Sequence, residues 1–320
     1  MNNNPTSLTK SYDSIVIGGG PAGNTAALLL SSAGISTLVI DFREKLGDKL
    51  CTGIIGIECA SAFPPNPSLI YGNASEVTVH APDGSSYDLK GNKSYALVVN
   101  RAGYVEEMAT NASNAGAEYL LSSRVSSISR SGDKVYISTV NQGKETIFAA
   151  SIIIISGGFR TALLDQVGLE KGRSSDYLVG TQISVSVSNL RHTQVYTGSE
   201  LTRGSFGWLV PTFGNNALLG TVSRKSINDK FRDLVETLKR ESIIEESMSP
   251  LQSWGIPLRP IHKTYESRVL VAGDAAGFAK PTTGGGIYYA ALSGQMAAET
   301  AVEAISSNRF NASDLSTYEA

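Results

Sequence analysis

The chain has 320 residues, 41% hydrophobic and 18% charged, with 32 glycines, a balance that suits an α/β protein of one large domain or two intimate ones. A formal charge of −2 gives no electrostatic footprint for nucleic acid, and His80, His192 and His262 are scattered without metal-ligand spacing. Two cysteines, Cys51 and Cys59, are too few for a disulfide framework, and no apolar run approaches the ~18 residues of a spanning helix, so the expectation is a cytoplasmic protein with peripheral membrane contact left open.

The polar leader 1–12 has no apolar h-region and is expected to be a disordered tail. Ser14 to Ile17 then reads as a short buried strand, and Gly18, Gly20 and Gly23 fill a G-x-G-x-x-G turn. Pro21 suits the first turn of a helix, Ala22 follows it, and Ala26 to Leu30 continue an apolar face. A second strand, Ser36 to Ile40, ends in Asp41, 23 residues after Gly18, close to the spacing of a carboxylate on an adenosine ribose. A pyrophosphate must approach the free N–H groups at a helix start more closely than a Cβ allows, and glycine supplies that access. Strand, glycine turn, helix and acid together predict a bound dinucleotide.

After Asp41, the segment FREKLGDKLCTGIIGIE reads as an ordered loop leading into a short helix, at the carboxyl end of the sheet where open α/β folds bind ligands. Residues 75–90 alternate around an Asp83-Gly84 hairpin turn, Tyr95 to Asn100 is a strand, and Arg101 to Ala115 is a helix with Val105, Met108, Ala109 and Ala112 on one face. A meander runs from Glu118 to Ala149. Ser151 to Ile155, with four consecutive isoleucines, reads as a separate central parallel strand buried on both faces. Strands of a second sheet follow at 177–188, 193–196, 205–211 and 217–223, then an amphipathic helix at 226–242 and a proline-bounded stretch at 249–260 expected to be rigid. Arg268 to Ala272 is the last strand, and an alanine-rich helix starts at about Gly286.

Three separated elements line up: GGGPAG with Asp41, Arg101 opening a helix, and VLVAGDAAG at 269–277. This order resembles the p-hydroxybenzoate hydroxylase-like superfamily of FAD enzymes, and within it the geranylgeranyl reductase family. PTTGGGIYYAALSG resembles that family's P-x-T-G-x-G-I-x-x-A segment. Phe206 to Pro211 with the trailing Gly220 resembles its aromatic-x-Trp-x-Phe-Pro substrate motif, and KLCTGI at 49–54 resembles its Cys-Gly-Gly-Gly loop. Val210, Val222, Thr52, Ile54, Gly285 and Gly157 depart from those patterns.

The resemblance implies a Rossmann-like FAD-binding domain of the GR2 type, made of 13–75, 97–172 and 262–305, with an inserted antiparallel-sheet substrate domain at 76–96 and 173–261, and 306–320 as the start of a truncated C-terminal segment. It implies FAD contacts at Gly18, Gly20, Ala22, Gly23, Asp41, Cys51, Thr52, Arg101, Val125 and Gly273. Asp274 would bond the ribityl hydroxyls, and the N–H groups of Gly286 and Ile287 would sit at the pyrimidine edge, where a reduced flavin is anionic.

The implied activity is hydride delivery from flavin N5 to isolated C=C bonds of a prenyl lipid, quinone or pigment precursor. Phe206, Trp208, Pro211, Gly220, Tyr288 and Tyr289 are candidates to line the substrate site; aromatic faces favour cationic character at the second alkene carbon. Phe206 and Trp208 read equally as sheet core, and the two tyrosines as packing. Cys51 is the candidate proton donor, against the plainer reading of a small buried hydrophobe. The electron donor, NAD(P)H, ferredoxin or another protein, carries no fingerprint. A flavin monooxygenase or halogenase on the same scaffold is the alternative enzyme, and an inactive FAD-binding domain the non-enzymatic one.

Overall fold

The computed structural model describes residues 10–49, 51–170, 177–198, 205–224 and 228–319. Among these, contacts divide the chain into one unit drawn from 1–48, 105–174 and 259–320, and a second drawn from 49–104 and 175–258.

The first unit is built on an eight-stranded sheet. Its central order is Tyr265–Glu266, Val269–Val271, Lys144–Ile155, Lys10–Ile17, Thr37–Ile40 and Glu118–Leu120, with Arg124–Ser131 and Lys134–Asn141 added to the side. Lys10–Ile17 runs parallel to both of its neighbours. Its inner residues Ile15 and Val16 are wholly buried, as is the whole run Ile152 to Ile155. That is the burial expected of a parallel sheet covered on both faces. One face packs the helices Pro21–Ser32 and Ile287–Ser307, which meet through small residues.

Two expectations for this unit need correcting. The strand begins at Lys10, so Lys10 to Tyr12 are not part of a disordered tail, and residues 1–9 lie outside the described residues. The meander's last strand and the isoleucine strand are one strand, Lys144–Ile155. Its first half pairs antiparallel with Lys134–Asn141 and its second half parallel with Lys10–Ile17.

The second unit carries a seven-stranded sheet in the order Gln252–Pro257, Tyr177–Ser186, Asn216–Ser223, Phe206–Pro211, Thr193–Thr197, Glu76–His80 and Ser86–Lys90. Ile183, Val185, Leu209 and Leu219 on one face bury against Phe231, Leu234, Val235 and Leu238 of the helix Asn228–Arg240. Of the helix expected at 226–242, Ser226 and Ile227 lie outside the described residues. The 249–260 stretch is not simply a braced loop: Gln252–Pro257 is an edge strand of this sheet.

Residues 49–75 and 97–104, expected with the dinucleotide-binding domain, group instead with the second unit. The cause is a three-stranded sheet in which Ile54–Gly56 and Ile70–Ala74 both pair with Ala96–Val99. Residues 259–261 group with the first unit, where the Ile261 N–H donates to Ala276 O at 3.0 Å. At the carboxyl end, the Tyr318 hydroxyl donates to Val271 O at 2.8 Å and ties the final turns to the parallel sheet.

Candidate functional site

The glycines of the first turn answer three different demands. Gly18 has φ of +110°, and a Cβ there would lie 2.4 Å from the carbonyl oxygen of Ser156. Gly23 is a packing position, where a Cβ would come 1.8 Å from Gly18 O. At Gly20 a Cβ would meet nothing within 4 Å, which leaves that side open for a ligand to approach the backbone. Gly20 is the N-cap of Pro21–Ser32 and no side chain caps it, so the amides of Ala22 and Gly23 present donors and the positive end of the helix dipole to an anion.

Asn24, which sequence reasoning missed, fixes the turn from below. It is fully buried; its Nδ2 donates at 3.1 Å to both Gly19 O and Val105 O, and its Oδ1 accepts from the Tyr119 hydroxyl at 3.0 Å. The available signal was an amide side chain in the first turn of a largely apolar, small-residue helix.

Asp41 is 2% exposed and already engaged. Its Oδ2 accepts from Gly19 N–H at 2.8 Å, its Oδ1 accepts from Arg43 N–H at 2.9 Å, and the Arg43 guanidinium lies 3.4 Å away. A carboxylate accepts more bonds than these, so it keeps capacity for a hydroxyl. Beside it the exposed Phe42 ring has Arg43 on it at 4.4 Å and Arg124 at 4.8 Å. Val125 follows Arg124 and pairs with Thr139.

The second glycine-aspartate motif lies in the same unit. Gly273 has φ of +65°, donates to Ser293 Oγ at 2.9 Å, and sits so close to the first helix that a Cβ would be 3.0 Å from that of Ala22. Gly286, the N-cap of Ile287–Ser307, also has no side-chain cap, and a Cβ there would be 3.0 Å from Asp274 Oδ1. Further along the same helix, a Cβ on Gly294 would be 2.1 Å from Ala22 O. Two uncapped helix starts, at Gly20 and Gly286, are therefore linked through Ala22, Gly273 and Asp274. This cradle of open amides, with no metal-binding group of three His, Cys, Asp or Glu among the described residues, fits an extended dinucleotide.

In the second unit Lys49 and Gly53 are both pinned. Arg101 Nη1 donates to Lys49 O at 2.7 Å, Val99 N–H donates to Gly53 O at 2.8 Å, and Gly53 has φ of +76° with Val99 O where a Cβ would go. Cys51 in this loop is a free, half-buried thiol; Cys59 is a free thiol that burial pushes up to about 11.

On the sheet of that unit, Phe206 and Trp208 project from one strand with ring centroids 5.9 Å apart, and Trp254 meets Trp208 edge-on at 6.5 Å. Trp208 pairs with Gly220 and its indole lies over that glycine, where a Cβ would be 2.4 Å from the ring. Trp254 does the same over Gly180, at 2.6 Å. Gly180 was missed, though a lone glycine inside a strand marks close approach. Pro211 ends the Phe206–Pro211 strand. Tyr288 and Tyr289, on the helix of the first unit, contact each other edge-on at 5.4 Å. His80 and His192 are bonded to Gln194 and Thr78 at 2.7 Å within the sheet.

The family model for FAD-dependent oxidoreductases matches residues 13–189, from the first strand into the second unit. The chain belongs to that family. As an FAD-dependent oxidoreductase it is similar to the digeranylgeranylglycerophospholipid reductase of Methanocaldococcus jannaschii, with 27% identity over 335 residues, covering 98% of this chain and 82% of that protein. The protein of the same name from Methanococcus aeolicus is 28% identical over 329 residues, covering 98% and 82%. Among solved structures, a geranylgeranyl bacteriochlorophyll reductase-like protein from Thermoplasma acidophilum superposes with a TM-score of 0.89 at 23% identity, covering 97% of this chain and 83% of that one. No helix among the described residues is long and apolar enough to cross a membrane.

Proposed function

We propose that this oxidoreductase saturates isolated C=C bonds in the geranylgeranyl or related prenyl chains of a lipid, quinone or pigment precursor. The observation that carries the reading is the pair of indoles seated over Gly220 and Gly180 and meeting edge-on, an aromatic sheet face in a chain whose curated relatives are named for prenyl-lipid reduction.

When bound and reduced, FAD supplies the hydride of the addition. The amides of Gly20, Ala22 and Gly23 hold its pyrophosphate, Asp41 its adenosine ribose and Asp274 its ribityl hydroxyls; Gly18 and Gly273 shape the two turns. The N–H groups of Gly286 and Ile287 face the pyrimidine edge, where the helix dipole favours negative charge. Arg101, Val125, Cys51 and Thr52 complete the cofactor contacts. Phe206, Trp208, Pro211, Gly220 and Tyr288 receive the prenyl chain, and the ring faces favour the positive charge that develops on the more substituted carbon. Cys51 holds the proton that completes the addition. The substrate is met at a membrane surface from the cytoplasm, and electrons come from NAD(P)H or a carrier protein such as ferredoxin.

The test is to reduce the purified enzyme chemically without oxygen, add a geranylgeranyl lipid, and weigh the product. A gain of two hydrogens per double bond is expected. Substrate-dependent oxygen consumption with a hydroxylated or halogenated product would instead make the chain a monooxygenase or halogenase.

A further inference from the structure

Gln182 is a polar residue in the middle of the strand Tyr177–Ser186, only 3% exposed, and it belongs to none of the motifs above. Its register places it beside Gly220, the glycine under Trp208. Its Oε1 accepts from Trp208 Nε1–H at 3.3 Å and from the Thr52 hydroxyl at 3.4 Å. An indole N–H only donates, so the carboxamide orientation is fixed by chemistry: the oxygen must face Trp208. We propose that Gln182 is a positioning residue that clamps the Cys51-Thr52 loop to the indole of Trp208, setting the ring that receives the prenyl chain and the loop that carries the thiol with one acceptor atom.

The physical demand for such a clamp is plain. A buried indole N–H without an acceptor is costly, and the Thr52 hydroxyl is the loop's side-chain tie to this sheet face. A leucine at 182 would keep the volume and lose both bonds together. An asparagine, one methylene shorter, would fail to reach both donors at once. A glutamate would keep an acceptor at the same reach.

The chain has two tryptophans, so its indole N–H spectrum holds two resonances, and Trp254→Phe assigns them. In the flavin-loaded enzyme, Gln182→Leu is expected to move the Trp208 indole resonance to the position of an unbonded N–H and to speed alkylation of Cys51 at least fivefold. Gln182→Glu is expected to restore both, with flavin content unchanged throughout. Where Gln182→Leu fails to fold, Gln182→Met, which keeps the length and lacks the carbonyl acceptor, gives the same two readings. An unmoved Trp208 resonance, or an unchanged Cys51 rate, overturns the clamp. The part of the claim that concerns turnover rests on the prenyl-reductase reading, and there a five- to twentyfold fall in kcat/KM is expected. Wild-type enzyme that reduces no prenyl substrate overturns that reading alone, since the resonance and the alkylation rate decide the clamp without any substrate.

Discussion

Gly20 and Gly23 stand three residues apart in one turn and respond oppositely to the same added methyl. At Gly23 the Cβ would strike the Gly18 carbonyl, so Gly23→Ala is expected to destabilise the protein by about 3 kcal/mol with or without flavin. At Gly20 it meets open space, so Gly20→Ala should change the stability of the flavin-free protein by less than about 1 kcal/mol. It should instead weaken FAD by roughly tenfold or more, because the methyl would stand where the pyrophosphate is proposed to approach. Thermal melts and flavin titrations of both variants check this, and equal effects in both would remove the phosphate argument. Cys59 gives a pH prediction. Burial raises its thiol from 9.0 to about 11, so both states keep the proton below the lower value. As pH rises between them only the unfolded chain ionises, and stability falls across that window. Melting temperature against pH should fall less steeply in Cys59→Ala than in the parent.

At the scale of elements, the two indole-over-glycine crossings let the proposed substrate face be tested apart from the cofactor. Gly220→Ala and Gly180→Ala should each push an indole off its seat, change the near-ultraviolet circular dichroism, and lower kcat/KM for a prenyl substrate by roughly tenfold with flavin retained. Gly72→Ala, on the three-stranded sheet with nothing within 4 Å, is the control and should behave as wild type. What the sequence disclosed at this scale follows from what each signal encodes. The strand, glycine turn and helix at 13–32 were legible because the apolar run, the glycine spacing and Pro21 all lie within one short stretch of chain, and Trp208 with Gly220 because their spacing matches a known motif. Gly180 and Gln182 escaped because their partners, Trp254 and Trp208, are brought to them by strand register, which no local pattern records. The isoleucine strand was cut short for a related reason. Its start, Lys144 to Ile147, is polar or exposed while Ile152 to Ile155 are wholly buried, so one strand gave two patterns.

At the scale of the whole molecule, each unit is assembled from separated stretches of chain, and the proposed cofactor contacts include residues 18–41 and 273–287 of the first unit. Ligand binding to the folded state should therefore raise global stability, by about 2.7 kcal/mol at a hundredfold excess over Kd. Stripping FAD is expected to lower the melting temperature by several degrees, and FAD but not riboflavin should restore it, because riboflavin lacks the pyrophosphate proposed to sit at the Gly20 helix start. Equal rescue by riboflavin would place the binding energy in the ring system alone. The contact between Gly273 and Ala22 carries a consequence for biosynthesis. The ribosome makes the first helix start long before its counterpart, so a nascent chain cannot enclose the nucleotide until the Gly286 helix start has also been translated. Capture of the vitamin-derived group thereby waits on the second start instead of guiding the folding of the first.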